Sequence, residues 1–544
     1  MSLKYESQIE NIIKNKELFF IFEDFNIEFG GITNSIFKRA NYLAGKDYCV
    51  NLVSFDLIKN FDFILDMFHE SGVLSRNVNF INVYEYYSKK NCLDDDCSYT
   101  DFQDLKNDDN LFIKITENND RSITIDYYEN QLFDTIVKSE LFIDNVLVYR
   151  KFQKNFKQEF FTRDGFRYLI TKRKKGRDRF ILHDRNSDKY IKFREINDFL
   201  YYFMDEICSI EDKPFLFCDS TSHYYNMNGV KEDVYKIGVM HGNPYVLDNE
   251  PIDYISPRIN HLSHLNDLET LVVLTNEVKD DLINELHQDK FTVIPNFIPD
   301  ELLQTDLASK EVNKIRIFSR ISPEKQIADA ISAFKIVCDT KPDAILEIYG
   351  RALTDNEKSE LEMLKKLVEQ LHLEDHVFFK GFLADVNVEM QKSLCTLIIS
   401  KHEGLPLALL ESMANATPVI CYDFKYSPKD VITNGKDGII VQKGNIDQLA
   451  NEMIRLLDNP QIAIDLGINA REKIKNNFST SSTGYKWEEL MKNVLFNATV
   501  NEIDQLSKDE RKLEKNNKLN ASMLNSSSSK KTEIFRKISN LFKK

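Results

Sequence analysis

The hydrophobic residues of this chain recur in short runs of strand length, separated by turns and by stretches with helical periodicity. Leu18–Glu23 is such a run; a Gly30-Gly31 turn and a periodic stretch to about Leu43 follow it, and Val50–Phe55 repeats the strand pattern. Apolar runs that alternate with amphipathic stretches predict parallel strands joined by helices. The chain therefore opens as an α/β domain.

The pattern changes between about Val78 and Asp205, where apolar and polar residues alternate. Ser122–Tyr128 and Val146–Arg150 are examples, and Asn-Asp, Asp-Gly and Gly-Arg turns separate them. Period-two alternation with such turns predicts antiparallel hairpins. We expect a β-rich insertion of roughly 120 residues, a size typical of an independent domain.

The α/β pattern resumes at Pro214–Asp219 and continues to about Asn296, and a second α/β pattern begins at Lys314 and closes with helices near 447–458 and 463–476. This order predicts an α/β fold with two doubly wound domains facing each other across a cleft. The predicted boundaries are 1–77 and 206–305 for the two parts of the first domain, 78–205 for the insertion, 306–478 for the second domain, 479–497 for a crossover helix, and 498–544 for a linker with a basic tail.

Composition narrows the class of protein. The 544 residues include 71 Lys and Arg against 86 Asp and Glu, a formal charge of −15, which disfavours non-specific binding to nucleic acid or anionic lipid. The eight cysteines are scattered, and the N-terminal stretch has no signal-peptide pattern, so we expect reduced thiols and a cytoplasmic location. No apolar run reaches the roughly 18 residues of a transmembrane helix.

The stretch richest in candidate chemistry is Ser400–Glu411, predicted as a strand end, a turn and a helix that starts after Pro406. The N-terminus of that helix presents unpaired N–H groups, which suit a diphosphate. Glu403 and Glu411 are placed to hold hydroxyl groups on either side of it. On these residues alone, a buried helix preceded by a loop carboxylate explains the pattern equally well.

Three further stretches supply candidate ligands. Arg320 and Lys325 share a loop in which Pro323 is predicted to open a helix, and two such cations form a diphosphate clamp. His241 follows a buried strand, where α/β sheets bind ligands, although a structural histidine is the alternative. The Gly30-Gly31 pair lets a backbone pass close to a ligand, and a plain tight turn is its alternative.

With these motifs in this order, the chain resembles the retaining GT-B glycosyltransferases of the glycosyltransferase-4 family, over most of residues 15–495. It is most similar to those that glycosylate wall teichoic acid, which also carry a β-rich insertion. The resemblance implies that Arg320 and Lys325 bind the donor diphosphate, Glu411 the ribose and Glu403 the donor sugar. It also implies a sugar contact from His241 and an active-site loop at Gly30 and Gly31. Contacts with the rest of the donor, including its base, are implied for Gly404, Leu405, Pro406, Leu407, Ala408 and Phe382.

The resemblance predicts a metal-independent, retaining hexosyltransferase that moves glucose or N-acetylglucosamine from a UDP-sugar to a polyol-phosphate polymer, with no cofactor. Which sugar is transferred, and whether the acceptor is glycerol- or ribitol-phosphate, stays open. Alternatives are transfer to protein Ser/Thr or to a lipid-linked glycan, and a non-catalytic GT-B partner subunit. The donor-site charges argue against the last of these.

Peripheral features suggest further partners. A basic run in the insertion is a candidate contact for a phosphate-rich acceptor, with a solvated hairpin as the alternative; it comprises Lys172, Arg173, Lys174, Lys175 and Arg177. Asp94–Asp96 invites a metal interpretation, but a solvated acidic loop is favoured and no metal site is predicted. Lys530–Lys544 has an amphipathic pattern suited to peripheral contact with an anionic membrane, and the insertion is a candidate for homo-oligomer formation. No nucleic-acid partner is expected.

Overall fold

The structure is a computed structural model. It describes residues 3–22, 30–93, 111–129, 135–154, 156–174, 176–210, 212–219, 227–244, 262, 264–383 and 385–517.

The strands of the described residues are β1 (Glu17–Ile21), β2 (Cys49–Ser54), β3 (Val78–Asn82), β4 (Phe112–Glu117), β5 (Ile123–Tyr128), β6 (Ile136–Ile143), β7 (Val146–Phe152), β8 (Lys157–Phe161), β9 (Arg167–Lys174), β10 (Arg177–Asp184), β11 (Lys189–Phe193), β12 (Phe215–Cys218), β13 (Tyr235–Met240), β14 (Thr270–Val273), β15 (Phe291–Val293), β16 (Glu311–Phe318), β17 (Ile345–Tyr349), β18 (Val377–Gly381), β19 (Ser393–Ile398), β20 (Val419–Tyr422) and β21 (Ile439–Val441).

The helices of the same residues are α1 (Leu3–Lys14), α2 (Gly31–Ala44), α3 (Phe61–Glu70), α4 (Val83–Asn91), α5 (Ile196–Cys208), α6 (Asn276–Leu286), α7 (Ile327–Thr340), α8 (Asp355–Gln370), α9 (Asn387–Lys392), α10 (Leu407–Ala414), α11 (Pro428–Val431), α12 (Ile446–Asp458), α13 (Pro460–Asn477), α14 (Thr480–Thr483) and α15 (Tyr485–Asn517).

The first parallel sheet has the order β15-β14-β13-β12-β1-β2-β3. The apolar run of β1 is central in it, and its residues Leu18–Ile21 are buried, as expected for a strand covered on both faces by helices. The strand order reverses between β1 and β12. Such a reversal leaves a crevice outside the carboxyl ends of the strands, where open α/β sheets bind ligands.

The second parallel sheet has the order β18-β17-β16-β19-β20-β21, and its strand order reverses between β16 and β19. Its core is a continuous apolar cluster that includes Ile317, Leu346 and Leu397 from the strands and Phe334 and Leu410 from the helices. The loops after β16 and β19 carry the predicted phosphate and sugar contacts. The prediction of two sheets of parallel strands is confirmed.

The antiparallel sheet runs in the order β11-β10-β9-β8-β7-β6-β5-β4. One of its faces joins the core of the first α/β domain, where Phe160, Leu169 and Leu182 lie in one buried cluster with Phe199 of α5. Residues 78–82, which we placed at the start of the insertion, form β3 instead. This strand pairs with β2 in parallel at the edge of the first sheet. Only its first and last residues are buried, and so short a mixed run does not indicate the direction of pairing.

The described residues of 1–16 and 485–517 belong to one compact unit, and those of 17–484 form the other. Within the first of these units α1 contacts α15, and Ile9, Ile13 and Met491 are buried. Helix α15 continues to Asn517, into the segment from 498 that the sequence had suggested to be a linker.

Candidate active site

The loop between β19 and α10 forms the centre of the site. Helix α10 begins at Leu407 directly after Pro406, as the sequence predicts, since proline lacks the N–H that the first turn leaves unpaired. Glu403 lies in the loop and its Oε1 accepts a hydrogen bond of 2.7 Å from the Ser400 hydroxyl. The Lys325 ammonium group forms an ion pair with the same oxygen. The residue predicted to bind the diphosphate, Lys325, and the residue predicted to bind the sugar, Glu403, are therefore in direct contact.

Gly404 is the point at which the second α/β domain meets the first. A Cβ atom built on Gly404 would lie 1.8 Å from the carbonyl oxygen of His241, so only glycine fits this approach. Gly31 lies next to α10 with room to spare, since a Cβ built on it would be in ordinary van der Waals contact, at 3.9 Å, with Cδ1 of Leu407. The structure thus brings Gly31, His241 and the Glu403 loop together at one place.

His241 is held by an acidic residue that the sequence did not single out. Its Nε2 lies 2.7 Å from Oδ1 of Asp219, which directly follows β12, and Oδ2 of Asp219 accepts a hydrogen bond of 2.5 Å from Arg39. Burial on its own would raise the pKa of Asp219, but the Arg39 guanidinium and His241 outweigh it and hold this pKa below its usual range. Asp219 is therefore ionised and fixes the imidazole orientation.

Two sequence signals could have identified the pair of Asp219 and Arg39. Asp219 ends the apolar run Phe215–Cys218 at the carboxyl edge of the sheet. Arg39 is a charged residue on the apolar face of α2, beside Ile36 and Ala40. A buried arginine requires a carboxylate partner, so the pair was open to prediction from those patterns.

Glu411 lies on α10, and its Oε1 is 3.1 Å from Nζ of Lys38, a residue of α2. Both side chains are mostly buried, with 19% and 14% of their surface exposed. Lys38 could not be identified from the sequence, because nothing local distinguishes it from any other lysine on a helix.

Arg320 lies on the same loop as Lys325 but has different partners. It donates hydrogen bonds to Glu357 (3.0 Å) and Glu324 (3.1 Å), and more than half of its side chain is exposed. Pro323 opens a single 3-10 turn that ends at Lys325, rather than the helix that we expected. Gln326 then adopts a left-handed conformation, with φ of 50°, and interrupts the backbone before α7 begins at Ile327.

Phe382 directly follows β18 and is 54% exposed. The guanidinium carbon of Arg351 lies 4.3 Å from the centre of its ring, a cation–π contact. The backbone carbonyl of Arg351 accepts a hydrogen bond of 3.0 Å from the N–H of Ile321, beside Arg320. The aromatic residue predicted near the base thus lies close to the loop predicted for the diphosphate.

The basic run of the insertion lies on the β9–β10 hairpin, and the described contacts do not join it to the donor-site loops. Lys172, Arg173, Lys174 and Arg177 are exposed, while Lys175 lies outside the described residues. Asp94–Asp96 and the C-terminal stretch from 518 also lie outside them.

Further properties concern only the described part of the chain. It contains no cluster of three or more side chains suited to a metal ion. No disulfide bond joins two of the cysteines described there. None of its helices combines the length and hydropathy that a membrane-spanning segment requires.

Comparison with known proteins identifies a glycosyltransferase domain within the chain. Residues 300–473 match the model of the family "Glycosyl transferases group 1". The chain carries a group 1 glycosyltransferase domain. Crystal structures of TarM match with a TM-score of 0.76 and 21% identity, over 88% of this chain and 99% of theirs. One of these is a mutant of Staphylococcus aureus TarM in complex with fondaparinux, α-GlcNAc-glycerol and UDP.

Two curated relatives extend the comparison beyond the fold. A poly(ribitol-phosphate) α-N-acetylglucosaminyltransferase of Staphylococcus aureus is 24% identical over 87% of this chain and 99% of its own length. A poly(glycerol-phosphate) α-glucosyltransferase of Bacillus subtilis is 27% identical over 49% of this chain and 39% of its own length. The resemblance stated from the motifs is confirmed: residues 300–473 match a glycosyltransferase family, the fold is that of the GT-B structures, and the chain is similar over most of its length to a polyol-phosphate glycosyltransferase.

Proposed function

We propose that this protein is a retaining α-glycosyltransferase that moves a hexose or N-acetylhexosamine from a UDP-sugar to a polyol-phosphate polymer. The observation that carries the proposal is the meeting of Glu403, Lys325, His241 and Gly31 at the carboxyl ends of two parallel sheets. The full-length similarity to a polyol-phosphate glycosyltransferase supports the acceptor class.

The donor diphosphate is assigned to Lys325, Arg320 and the N-terminus of α10. Departure of the nucleoside diphosphate develops negative charge, which two cations and the unpaired N–H groups of a helix stabilise without a metal ion. Glu411 is assigned to the ribose and Phe382 to the base. Added EDTA should leave the rate of transfer unchanged, and a loss of activity that Mg²⁺ restores would contradict metal independence.

Glu403 is assigned to the donor sugar as a positioning group. Its Oε1 is occupied by Ser400 and Lys325, which fixes the carboxylate and leaves Oε2 for sugar hydroxyls. Because its carboxylate forms an ion pair, we assign it neither nucleophilic nor general-base chemistry. Same-face attack, with a donor phosphate oxygen accepting the acceptor proton, then gives retention.

The test of the donor site replaces Glu403 with Gln, which keeps the side-chain volume and removes the charge. We expect transfer to fall by about 100-fold or more, because misplacement of a substrate costs rate of this order. UDP release from UDP-glucose and UDP-N-acetylglucosamine, with and without purified polyol-phosphate polymer, measures the loss and identifies the donor. Full turnover by a folded variant, judged by circular dichroism, would refute the assignment.

The acceptor is assigned to one face of the antiparallel sheet, because the strand register gathers cations there. Lys172 pairs with Arg179 and Lys174 with Arg177 across the β9–β10 hairpin. Residues paired directly across two strands share a face, and like charges in such pairs destabilise a sheet. None of these four side chains has an acidic partner among the described residues. A polyanion would offset their repulsion.

The cationic face extends across neighbouring strands. Lys138 pairs with Phe152, and Phe152 with Lys157. Between β8 and β9, Gln158 pairs with Thr171. This antiparallel register sets Lys157 opposite Lys172, so the row of cations continues to the hairpin. Strands lie about 4.8 Å apart. A phosphodiester chain crossing the strands would therefore meet a cation at most of them, although Glu159 neutralises Lys157 in part and Glu140 neutralises Lys138 in part.

Arg173 belongs to the basic run that we predicted to contact the acceptor, but it faces the other side of the hairpin, where Asp178 lies 3.8 Å away, so we leave it out of the acceptor assignment and use it as the matched control. We expect Lys172→Glu with Arg179→Glu to raise the KM for the polymer about tenfold and to weaken its dependence on salt. Arg173→Glu should change this KM little. The rate at which UDP-sugar is hydrolysed without polymer should change little in either hairpin variant. Equal effects of both hairpin variants would contradict the acceptor assignment.

The cytoplasmic location, contact of the C-terminal stretch with an anionic membrane and homo-oligomer formation stay predictions. Removal of residues 526–544 tests the membrane contact directly. Unchanged association of the shortened protein with anionic liposomes would contradict it.

A further inference from the structure

Lys38 is a charged residue of the first α/β domain that contacts Glu411, a residue of the second domain that is predicted to bind the donor nucleotide. Its Nζ lies 3.1 Å from Oε1 of Glu411, and the pair joins α2 to α10. The exposed fractions of the two side chains are 14% and 19%, so water screens the pair only in part.

A purely structural clamp between the two domains is the simpler interpretation, but other contacts already perform that task. The Ser35 hydroxyl donates to Oδ1 of Asn296 (2.5 Å), and Nδ2 of Asn296 donates to the carbonyl oxygen of Leu405 (3.0 Å). These bonds connect α2, the loop after β15 and the Glu403 loop without any charge. A mostly buried ion pair adds little net stability, because removal of the charges from water offsets their attraction.

The geometry of the pair suits a role in binding. A carboxylate has two oxygens and accepts about four hydrogen bonds, so Lys38 on Oε1 leaves Oε2 for two neighbouring hydroxyl groups. A cation on one oxygen also keeps the carboxylate in one orientation. The protein needs no N–H donor at this position, because the ribose hydroxyl groups themselves donate hydrogen bonds to the carboxylate.

We propose that Lys38 is a positioning residue for the nucleotide ribose: it orients Glu411 from the opposite domain, so that recognition of the donor nucleotide requires both domains. The inference rests on the proposed function, in which Glu411 accepts the ribose hydroxyls. Lys38 acts through Glu411 and contacts neither the transferred sugar nor the reacting atoms.

The test compares Lys38→Met, which keeps the length of the side chain without its charge, with Lys38→Arg and with Lys46→Met. Lys46 lies just beyond the end of the same helix and is exposed, so it serves as the matched control. We expect Lys38→Met to raise the KM for the UDP-sugar about tenfold with kcat within about threefold, since the lost interaction is formed in the ground state as well as in the transition state. Lys38→Arg should restore most of the affinity, and Lys46→Met should behave as the wild type.

Inhibition constants of UDP and uridine locate the effect on the nucleotide. If Lys38 acts through the ribose, Lys38→Met weakens both inhibitors by the same factor, and it adds nothing to a Glu411→Gln background. Weaker inhibition by UDP together with unchanged inhibition by uridine would overturn the proposal, since Lys38 would then act on the diphosphate. Additive effects with Glu411→Gln, or a lower melting temperature with unchanged KM, would overturn it as well.

The failure of the proposed function has a different signature. In that case the wild type binds neither UDP nor uridine, or Glu411→Gln leaves both inhibition constants unchanged. Failure of the inference about Lys38 leaves the loss in Glu411→Gln intact and changes only the behaviour of the Lys38 variants.

Discussion

At the scale of single residues, Gly404 and Gly242 lie on the two sides of one close approach and differ in the space around them. A Cβ on Gly404 would overlap the His241 carbonyl oxygen, whereas a Cβ on Gly242 would have no heavy atom within 4 Å. We expect Gly404→Ala to abolish most transferase activity, because the Glu403 loop must shift away from His241, at a cost of about 1–3 kcal/mol or more. Gly242→Ala should keep both stability and activity in the same assays, and similar losses in both would contradict the interpretation.

A second prediction at this scale concerns Asp219. Its replacement by Asn removes the charged partner of buried Arg39, so we expect a loss of about 3–5 kcal/mol in the free energy of unfolding at pH 7. Because the folded-state pKa of Asp219 is lowered, its stabilisation is complete above its ordinary pKa of about 3.9 and is lost as pH falls below it. Urea unfolding between pH 3 and pH 7 should therefore show a weaker pH dependence in Asp219→Asn. An unchanged dependence would contradict the ionised pair.

At the scale of elements, the N-terminus of α8 links helix capping to the predicted phosphate clamp. Thr354 and Glu357 form a capping box, and Glu357 also accepts a hydrogen bond from Arg320. Burial would raise the pKa of Glu357, but backbone N–H groups of Thr354 and Leu353 together with Arg320 lower it. One carboxylate thus serves both the helix end and the cation.

This arrangement predicts two separable effects. Thr354→Ala should cost about 1 kcal/mol of stability, as for other lost caps, with a small change in the KM for the donor. Glu357→Gln should cost stability and also raise that KM, because Arg320 loses an ionised partner. Ser359→Ala, an exposed position on the same helix, is the control for both measurements. Identical KM values in Thr354→Ala and Glu357→Gln would contradict the link to Arg320.

At the scale of the whole molecule, the segment after β20 ties the donor loop to the first domain. Tyr426 is fully buried in the core of that domain, and its hydroxyl donates to Asp281 of α6 (2.9 Å), which also binds Nζ of Lys425 (2.6 Å). The backbone N–H of Tyr426 donates to the carbonyl oxygen of Glu403 (2.9 Å). The position of Glu403 therefore depends on a contact with the opposite domain.

We expect Tyr426→Phe to lower kcat several-fold and to cost about 1–3 kcal/mol in stability, because it leaves Asp281 with one donor fewer and loosens the segment bound to Glu403. Tyr422→Phe is the control: it removes a hydroxyl of the same strand region that donates to Asp329, within the second domain. Urea unfolding and UDP release measure the two effects. A kcat in Tyr422→Phe that falls as much as in Tyr426→Phe would contradict a specific interdomain role.

The sequence by itself determined the elements and most of the candidate ligands. Apolar runs separated the parallel strands from the alternating strands of the insertion, and Pro406 marked the start of α10, because hydrophobic period and proline geometry are local properties. The order of Gly30-Gly31, His241, Arg320, Lys325, Glu403 and Glu411 along the chain was enough for the family resemblance.

Only the tertiary structure decided which of those residues meet and which further residues serve them. The partners Asp219–Arg39 and Glu411–Lys38 lie 180 and 373 positions apart in the chain, so no local pattern could have paired them. The parallel pairing of β3 and the pairing of Lys172 with Arg179 across the hairpin follow from strand order and register. Backbone propensity acts over a few residues, whereas packing and charge pairing act across the fold, and it is packing that places Glu403 beside Lys325.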